Sequence, residues 1–258
     1  MIETFLPGIR AVIFDFDGTV SLIRTGWFDI MVRMSISILK ELETGESESA
    51  LRRVVEDFVW RLTGKDTIYQ MIALAEEVER RRGKSLRAEE YQDRFWALLN
   101  QVTGRRMEEL RRGESASDRY LVPGTRAFLD ELQRRGLRLY LASGTSHDNV
   151  EEECALLDIT RYFDGGIYGA RADRDSFSKR MLIQQILREP GMDASRLLCF
   201  GDGPVEIEET HRAGGMAVGV APLEPECRVV DPWKRTRLMA AGAQRIIPNY
   251  RFDEARYA

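Results

Sequence analysis

The sequence has few of the residues from which most metal and redox centres are built. Its only two histidines, His147 and His211, belong to no HExxH motif or other paired-ligand spacing, so a histidine-built metal site is not expected. The three cysteines are far apart and form no CxxC pair, which is typical of reduced, intracellular thiols. Neither a zinc site nor a disulfide scaffold is therefore predicted.

Long hydrophobic runs and a positive net charge are also missing. No apolar run approaches the ~18 residues of a membrane span, and the N-terminus lacks the basic and apolar regions of a signal peptide. The net charge of −4 gives no electrostatic reason to expect nucleic acid as a partner. We therefore expect a cytoplasmic protein with no nucleic-acid or membrane partner. No feature indicates an oligomeric state.

Hydrophobic patterning predicts an α/β sheet. The first strand, residues 9–16, is almost continuously apolar and ends at the turn Asp17-Gly18-Thr19, which is typical of the centre of a parallel sheet. From about residue 121 onward, strands and helices alternate, as in α/β folds. The predicted later strands are residues 137–142, 167–168, 197–200, 217–220 and 246–247. The helices between them begin after Pro123-Gly124 or cover residues 148–157, 178–188 and 205–213.

The hundred residues after the first strand have a different pattern. Four apolar stripes recur at helical spacing, and Gly45, Gly64, Gly83 and Gly104 lie between or just after them, where helices stop. This pattern predicts an all-helical domain, residues 20–118, inserted into an α/β core domain formed by residues 1–19 and 119–258.

Polar residues follow several of the predicted strands. Asp15 and Asp17 end the first strand, Ser143 follows the strand 137–142, and Asp202 follows the strand 197–200. Ligands bind at the carboxyl ends of the strands in open α/β sheets. Two carboxylates brought together there repel each other unless they share a cation or a proton. The sequence therefore predicts a polar site at this edge.

Four short runs then resemble, in the same order, the four motifs of the haloacid dehalogenase-like (HAD) hydrolase superfamily. They are DFDGTV with Asp15 and Asp17, LYLASGT with Ser143, SFSKR with Lys179, and GDGPVE with Asp202 and Glu206. The resemblance covers nearly the whole chain, and the helical insert is similar to the C1-type cap of the phosphoglycolate phosphatase and β-phosphoglucomutase branch. It implies a Rossmannoid parallel sheet flanked by helices.

The resemblance implies a magnesium site and a nucleophile. Mg²⁺ would be held by Asp15, the Asp17 backbone carbonyl and Asp202, with Glu206 where the family usually has Asp. The longer Glu206 would act directly, through water, or through a hydrogen bond to Lys179. Asp15 would attack phosphorus and form an acyl phosphate, since a cation offsets the repulsion between carboxylate and phosphate.

The remaining roles follow from the same resemblance. Asp17 would protonate the leaving oxygen and later deprotonate the attacking water. Ser143, the amide of Gly144 and Lys179 would hold the phosphoryl oxygens, with Lys179 as a compact positive charge. Lys65, in the predicted cap, is a candidate substrate contact, or it caps a helix turn.

Several activities share these motifs. A phosphatase acting on a small phosphorylated metabolite, of the sugar phosphate or phosphoglycolate class, is favoured because hydrolases dominate the family. A phosphosugar mutase of the β-phosphoglucomutase kind uses the same residues and is the alternative. A dehalogenase is disfavoured, because that branch does not need the acid Asp17. A non-catalytic binding module is also disfavoured, because it would usually have lost one of Asp15, Asp17, Lys179 and Asp202.

Overall fold

The computed structural model describes residues 6–63, 66–170 and 178–252. The chain divides into two compact units. Met1–Ile23 and Met107–Ala258 together form the first, which we call the α/β unit. Arg24–Arg106 form the second, which we call the helical unit. The predicted assignment of residues 20–118 to an inserted cap domain stays a prediction.

The α/β unit is built on a parallel sheet of six strands in the order β3-β2-β1-β4-β5-β6. The strands are β1 Ala11–Asp15, β2 Arg138–Ser146, β3 Gly166–Ala170, β4 Leu197–Gly201, β5 Met216–Val220 and β6 Arg245–Ile247. The order runs outward in opposite directions from β1, so the boundary between β1 and β4 is a topological switch point. Ligands of open α/β sheets bind at such points, outside the carboxyl ends of the strands.

Within the described residues, the helical unit contains α1 to α3 and most of α4. Their bounds are α1 Trp27–Lys40, α2 Glu48–Leu62, α3 Ile68–Arg80 and α4 Ala88–Arg111. Each places its apolar stripe in one shared core, which includes Met31, Leu51, Leu74 and Phe95. The stripes read from the sequence are therefore core positions of packed helices.

Five further helices connect or follow the strands in the described part of the α/β unit. They are α5 Thr125–Arg134, α6 His147–Leu156, α7 Lys179–Leu187, α8 Pro204–Ala213 and α9 Pro232–Ala240. No helix in the described ranges is long and apolar enough to cross a membrane.

The central strand β1 is buried on both faces, which explains its unbroken apolar sequence. Phe14 belongs to one core cluster and stacks on Phe200 of β4, with ring centroids 5.1 Å apart. Ile13 belongs to a different cluster, which includes Leu182 and Ile186 of α7. Apolar side chains are thus required at successive positions of the strand, as in parallel sheets covered on both sides. Asp15, its last residue, is thereby held at the edge of the sheet.

The predicted α/β fold is confirmed, but several elements differ in extent. The helix α4, for example, continues through Gly104, where a helix end was expected. β2 was expected to end at Ala142 but continues to Ser146, because a register shift after Ala142 lets Ser146 pair with Ala170 of β3. The sequence reading also missed α9. The side chain of Asp231 accepts hydrogen bonds from two backbone amides at the start of this helix, and Pro232 occupies its first turn, which is a readable start signal.

Candidate active site

The first part of the site is the turn that follows β1. Asp15 is 6% exposed, and its Oδ2 accepts a hydrogen bond from Thr19 Oγ1 at 3.3 Å. The backbone folds back after Phe16, whose carbonyl accepts from the amides of Val20 and Ser21 at 2.9 and 2.8 Å. Gly18 has a φ of +75°, and a Cβ at this position would overlap Oδ2 of Asp202. Only glycine allows this turn and this close approach.

Lys179 joins the first and fourth sequence motifs. Its Nζ donates to Asp15 Oδ1 at 2.5 Å and to Glu206 Oε2 at 2.8 Å. The other oxygen of Glu206 accepts from the backbone amide of Gly203 at 2.8 Å, so the start of α8 holds this side chain in place. A hydrogen bond between Glu206 and Lys179, one of the three roles considered for this acid, is therefore present.

A second lysine, Lys234, contacts the other acid of the fourth motif. Its Nζ lies 3.2 Å from Asp202 Oδ2 and 3.0 Å from Glu224 Oε1. The sequence reading did not identify Lys234. It lies in the first turn of α9, where the helix dipole disfavours a positive charge. A lysine at such a position suggests a nearby carboxylate that stabilises it, and this is a signal that the sequence offers.

Asp17 is held by hydroxyl groups on β2. Its Oδ2 accepts from Thr145 Oγ1 at 2.9 Å and lies 3.5 Å from Ser143 Oγ, at the limit of a hydrogen bond. Ser143 Oγ in turn accepts from the backbone amide of Thr145 at 3.0 Å. Thr145 was also missed, although it lies in the quoted run LYLASGT, because only the serine and the glycine were given roles.

The buried carboxyl groups resist ionisation in the absence of a cation. Burial raises the pKa of Asp15 well above its ordinary value; Lys179 opposes this shift, and Glu206 and Asp202 add to it. Burial also raises the pKa of Asp202 to about 6, against the effect of Lys234. Burial is the largest cause of both shifts, and the neighbouring carboxylates add to it while the lysines oppose it.

Both lysines, in contrast, stay charged. Burial alone would lower the pKa of Lys179, but Asp15 and Glu206 raise it above its usual value. Burial would likewise lower the pKa of Lys234, and the two carboxylates beside it raise it instead. Each lysine is therefore a fixed positive charge within the site.

The residues fit a divalent cation that prefers oxygen ligands. Asp15, Asp202 and Glu206 each offer a carboxylate oxygen, and these oxygens lie within 4.8 Å of one another. In the described contacts, Lys179 and Lys234 bind four carboxylates, those of Asp15, Glu206, Asp202 and Glu224. The excess negative charge and the hard oxygen donors suit a cation such as Mg²⁺ better than a metal that prefers thiolate or imidazole ligands.

Most of the residues selected from the sequence therefore lie around this edge. One group contains Asp15, Lys179, Glu206 and Asp202, with Lys234 beside Asp202. Asp17 and Ser143 lie close to each other where the paired strands β1 and β2 carry the site. Gly144 is exposed, and its surroundings are open on the side where a Cβ would point. Lys65 lies outside the described residues.

Comparisons with known proteins agree with this arrangement. A family model described as haloacid dehalogenase-like hydrolase matches residues 9–214, which include all four motif runs. No curated protein matches the sequence.

Solved structures share the fold over nearly the whole chain. A conserved haloacid dehalogenase-like protein from Agrobacterium tumefaciens is 21% identical, with a TM-score of 0.59 over 94% of each chain. A predicted phosphoglycolate phosphatase from Haemophilus somnus is 15% identical, with a TM-score of 0.59 over 94% of this chain and 95% of that one. The β-phosphoglucomutase of Clostridium difficile is 16% identical, with a TM-score of 0.56 over 94% of this chain and 92% of that one. At these identities the likeness shows a common fold.

Proposed function

The chain belongs to the haloacid dehalogenase-like hydrolases, and from this premise we propose that it is a Mg²⁺-dependent phosphatase acting on a small phosphorylated metabolite. The observation that carries the proposal is the buried group of Asp15, Asp202, Glu206 and Lys179 at the switch point of the sheet. A nucleophile, acids for a cation and a fixed positive charge are what phosphoryl transfer requires.

Asp15 is the proposed nucleophile. Its carboxylate oxygen forms a bond to phosphorus as the bond from phosphorus to the ester oxygen breaks, which leaves an acyl phosphate on Asp15. Thr19 and Lys179 donate hydrogen bonds to this carboxylate and so fix its orientation before the attack. The strand β1 holds the group rigidly, which favours a productive approach.

Asp17 is the proposed acid and base. It gives a proton to the departing ester oxygen and later takes one from the water that attacks the acyl phosphate, which restores the Asp15 carboxylate. Thr145 Oγ1 donates a hydrogen bond to its side chain at 2.9 Å and so helps to orient it. A hydroxyl partner can orient a carboxyl group and still leave it able to give and take a proton.

Charge stabilisation is assigned to Lys179, the Ser143 hydroxyl and the amide of Gly144, which would bind the phosphoryl oxygens. Asp15, Asp202 and the Asp17 backbone carbonyl would hold Mg²⁺, with Glu206 beside it through Lys179 or water. When bound, the cation supplies charge neutralisation between the phosphate and the carboxylates. Substrate selection by the helical insert, including Lys65, stays a prediction, as does the cytoplasmic location.

The test is phosphate release from a panel of small phosphate esters, with Mg²⁺ and with a chelator. We expect turnover of sugar phosphates or phosphoglycolate that stops when the metal is removed. ³¹P NMR of a hexose 1-phosphate separates the two activities of the family. Inorganic phosphate as the product supports a phosphatase, whereas conversion to the 6-phosphate would show a mutase. Metal-independent turnover would contradict the proposal.

A further inference from the structure

Lys234 is a buried cation for which the four motifs provide no role. Its side chain is 14% exposed, and its Nζ contacts Asp202 and Glu224 at 3.2 and 3.0 Å. The backbone beneath it is fixed as well. Asp231 Oδ1 accepts from the amides of Trp233 and Lys234 at 2.8 and 3.0 Å, so the first turn of α9 is closed over this point.

The two lysines of the site serve different carboxylates. Lys179 donates to Asp15 and Glu206, whereas Lys234 donates to Asp202 and Glu224. Among the described contacts, therefore, the orientation of Asp202 depends on α9 rather than on the lysine of the third motif.

Asp202 is held from two sides. Its Oδ2 accepts from Lys234 and also lies directly against Gly18, where a Cβ would overlap it. The side chain of Asp202 is 24% exposed, so it lies at the rim of the group. It would otherwise be freer to rotate than that of Asp15, whose side chain alone is 8% exposed. A hydrogen bond from a fixed ammonium group restricts that rotation.

Glu224 changes what the charge of Lys234 does. A lysine beside a metal ligand would repel a divalent cation, but Glu224 Oε1, at 3.0 Å, neutralises that charge locally. The pair of Lys234 and Glu224 is therefore close to neutral, and the remaining effect of Lys234 on the site is directional. Hydrogen bonds to metal-ligating carboxylates act in this way, and their loss typically costs affinity for the metal.

We propose that Lys234 is a positioning residue that holds Asp202 in the orientation required to bind the divalent cation, with Glu224 fixing Lys234 in turn. The inference rests on the proposed function, because it presupposes a cation at Asp15 and Asp202. It extends the machinery of the site from the four motifs to a helix near the C-terminus of the chain.

A purely structural role gives a different expectation. The contacts of Lys234 would then only tie α9 to the end of β4, and removing them would lower the stability of the fold without changing the metal affinity of the folded protein. Metal affinity and thermal stability must therefore be measured separately.

The experiment is direct Mn²⁺ binding to the full chain, followed by electron paramagnetic resonance of the free ion, without substrate. We expect Lys234→Met to bind Mn²⁺ roughly 10–100-fold more weakly than the unaltered protein, and Glu224→Gln to shift affinity in the same direction by less. Lys234→Arg should restore part of the loss. Arg235→Met, an exposed position in the same helix, is the matched control and should leave the affinity unchanged.

Each outcome decides the matter. Unchanged Mn²⁺ affinity in folded Lys234→Met would leave only the structural role, and tighter binding would show that repulsion by its charge dominates. Either would overturn the inference while the proposed phosphatase stands. Absence of Mn²⁺ binding by the unaltered protein would instead overturn the proposed metal site itself, and the inference with it. If Lys234→Met does not fold, the Mn²⁺ affinity of Glu224→Gln tests whether fixing Lys234 matters for metal binding.

Discussion

The α/β unit and the helical unit each contain a network of charged side chains, and the two networks differ in burial and in charge balance. In the helical unit, Arg81 donates to Glu46 at 2.6 and 2.8 Å and to Glu77 at 2.5 Å, and Arg80 also contacts Glu77. Two arginines thus meet two glutamates. In the described contacts of the α/β unit, four carboxylates meet two lysines.

The pKa shifts of the carboxyl groups reflect both their burial and their partners. Hydrogen bonds from Arg81 and Thr44 lower the pKa of Glu46, as expected for a carboxylate whose charge is fully matched. Burial among other acids instead raises the pKa of Asp15 and Asp202. A network in which arginines match the carboxylates holds structure together, whereas a buried site with more carboxylates than lysines suits a cation. The comparison therefore separates a structural network from a functional one without reference to motifs.

The largest effect is expected at Asp17, whose carboxylate accepts a hydrogen bond from Thr145 Oγ1. Asp17→Asn should slow the phosphorylation step with alkyl phosphates by ~10²–10⁴, because a poor leaving group needs a proton. Aryl phosphates, whose leaving groups depart as anions, should lose much less. Single-turnover kinetics with both ester types measures the difference. Equal losses for the two would remove Asp17 from the acid role.

The next effect concerns Lys179, one of the two cations in the unbalanced network. Lys179→Ala should lower kcat/KM by ~10²–10³, the usual loss for one electrostatic stabiliser of the transition state. Lys179→Arg should restore only part, since a planar guanidinium replaces a compact ammonium. Circular dichroism of each variant checks that the fold persists. An alanine variant as active as the unaltered protein would make Lys179 a structural ion-pair residue only.

The smallest effect on activity is expected in the balanced network. Arg81→Met leaves Glu46 and Glu77 without their shared partner and should lower the free energy of unfolding by about 1–3 kcal/mol. Hydrolysis of a minimal substrate such as acetyl phosphate should continue at a rate close to that of the unaltered protein. Arg82→Met, which alters a neighbouring arginine outside this network, is the control for stability. A loss of turnover as large as that of Lys179→Ala would erase the distinction between the two networks.

Much of the fold could be predicted because its signals are local. The strand β1 is buried on both faces, so its sequence is an unbroken apolar run. The helices α1 to α3 are each buried on one face, so their apolar residues recur at helical spacing. The end of β2 could not be predicted, because it depends on a register shift against β3 that no local pattern encodes. Pairing across such a shift depends on the position of the neighbouring strand in the folded chain.

The site was predictable only where its residues lie in recognisable runs. Asp15, Asp17, Lys179 and Asp202 could be found from their motifs. Lys234 lies 32 residues beyond Asp202 in the sequence, and only the packing of α9 brings its ammonium group to that carboxylate. Such a partner is selected by three-dimensional proximity, so the sequence offers at most an unexplained cation in the first turn of a helix.

The most direct test of the central claim is chemical trapping of the covalent intermediate. The protein is mixed with Mg²⁺ and a phosphate ester that it hydrolyses, and the reaction is quenched. Borohydride is then added, because it reduces an acyl phosphate to an alcohol. Peptide mass spectrometry should find homoserine in place of Asp15, only when substrate and metal are both present, and should find no such change at Asp17 or Asp202. Turnover without any modification at Asp15, or with the modification on another carboxylate, would contradict the account.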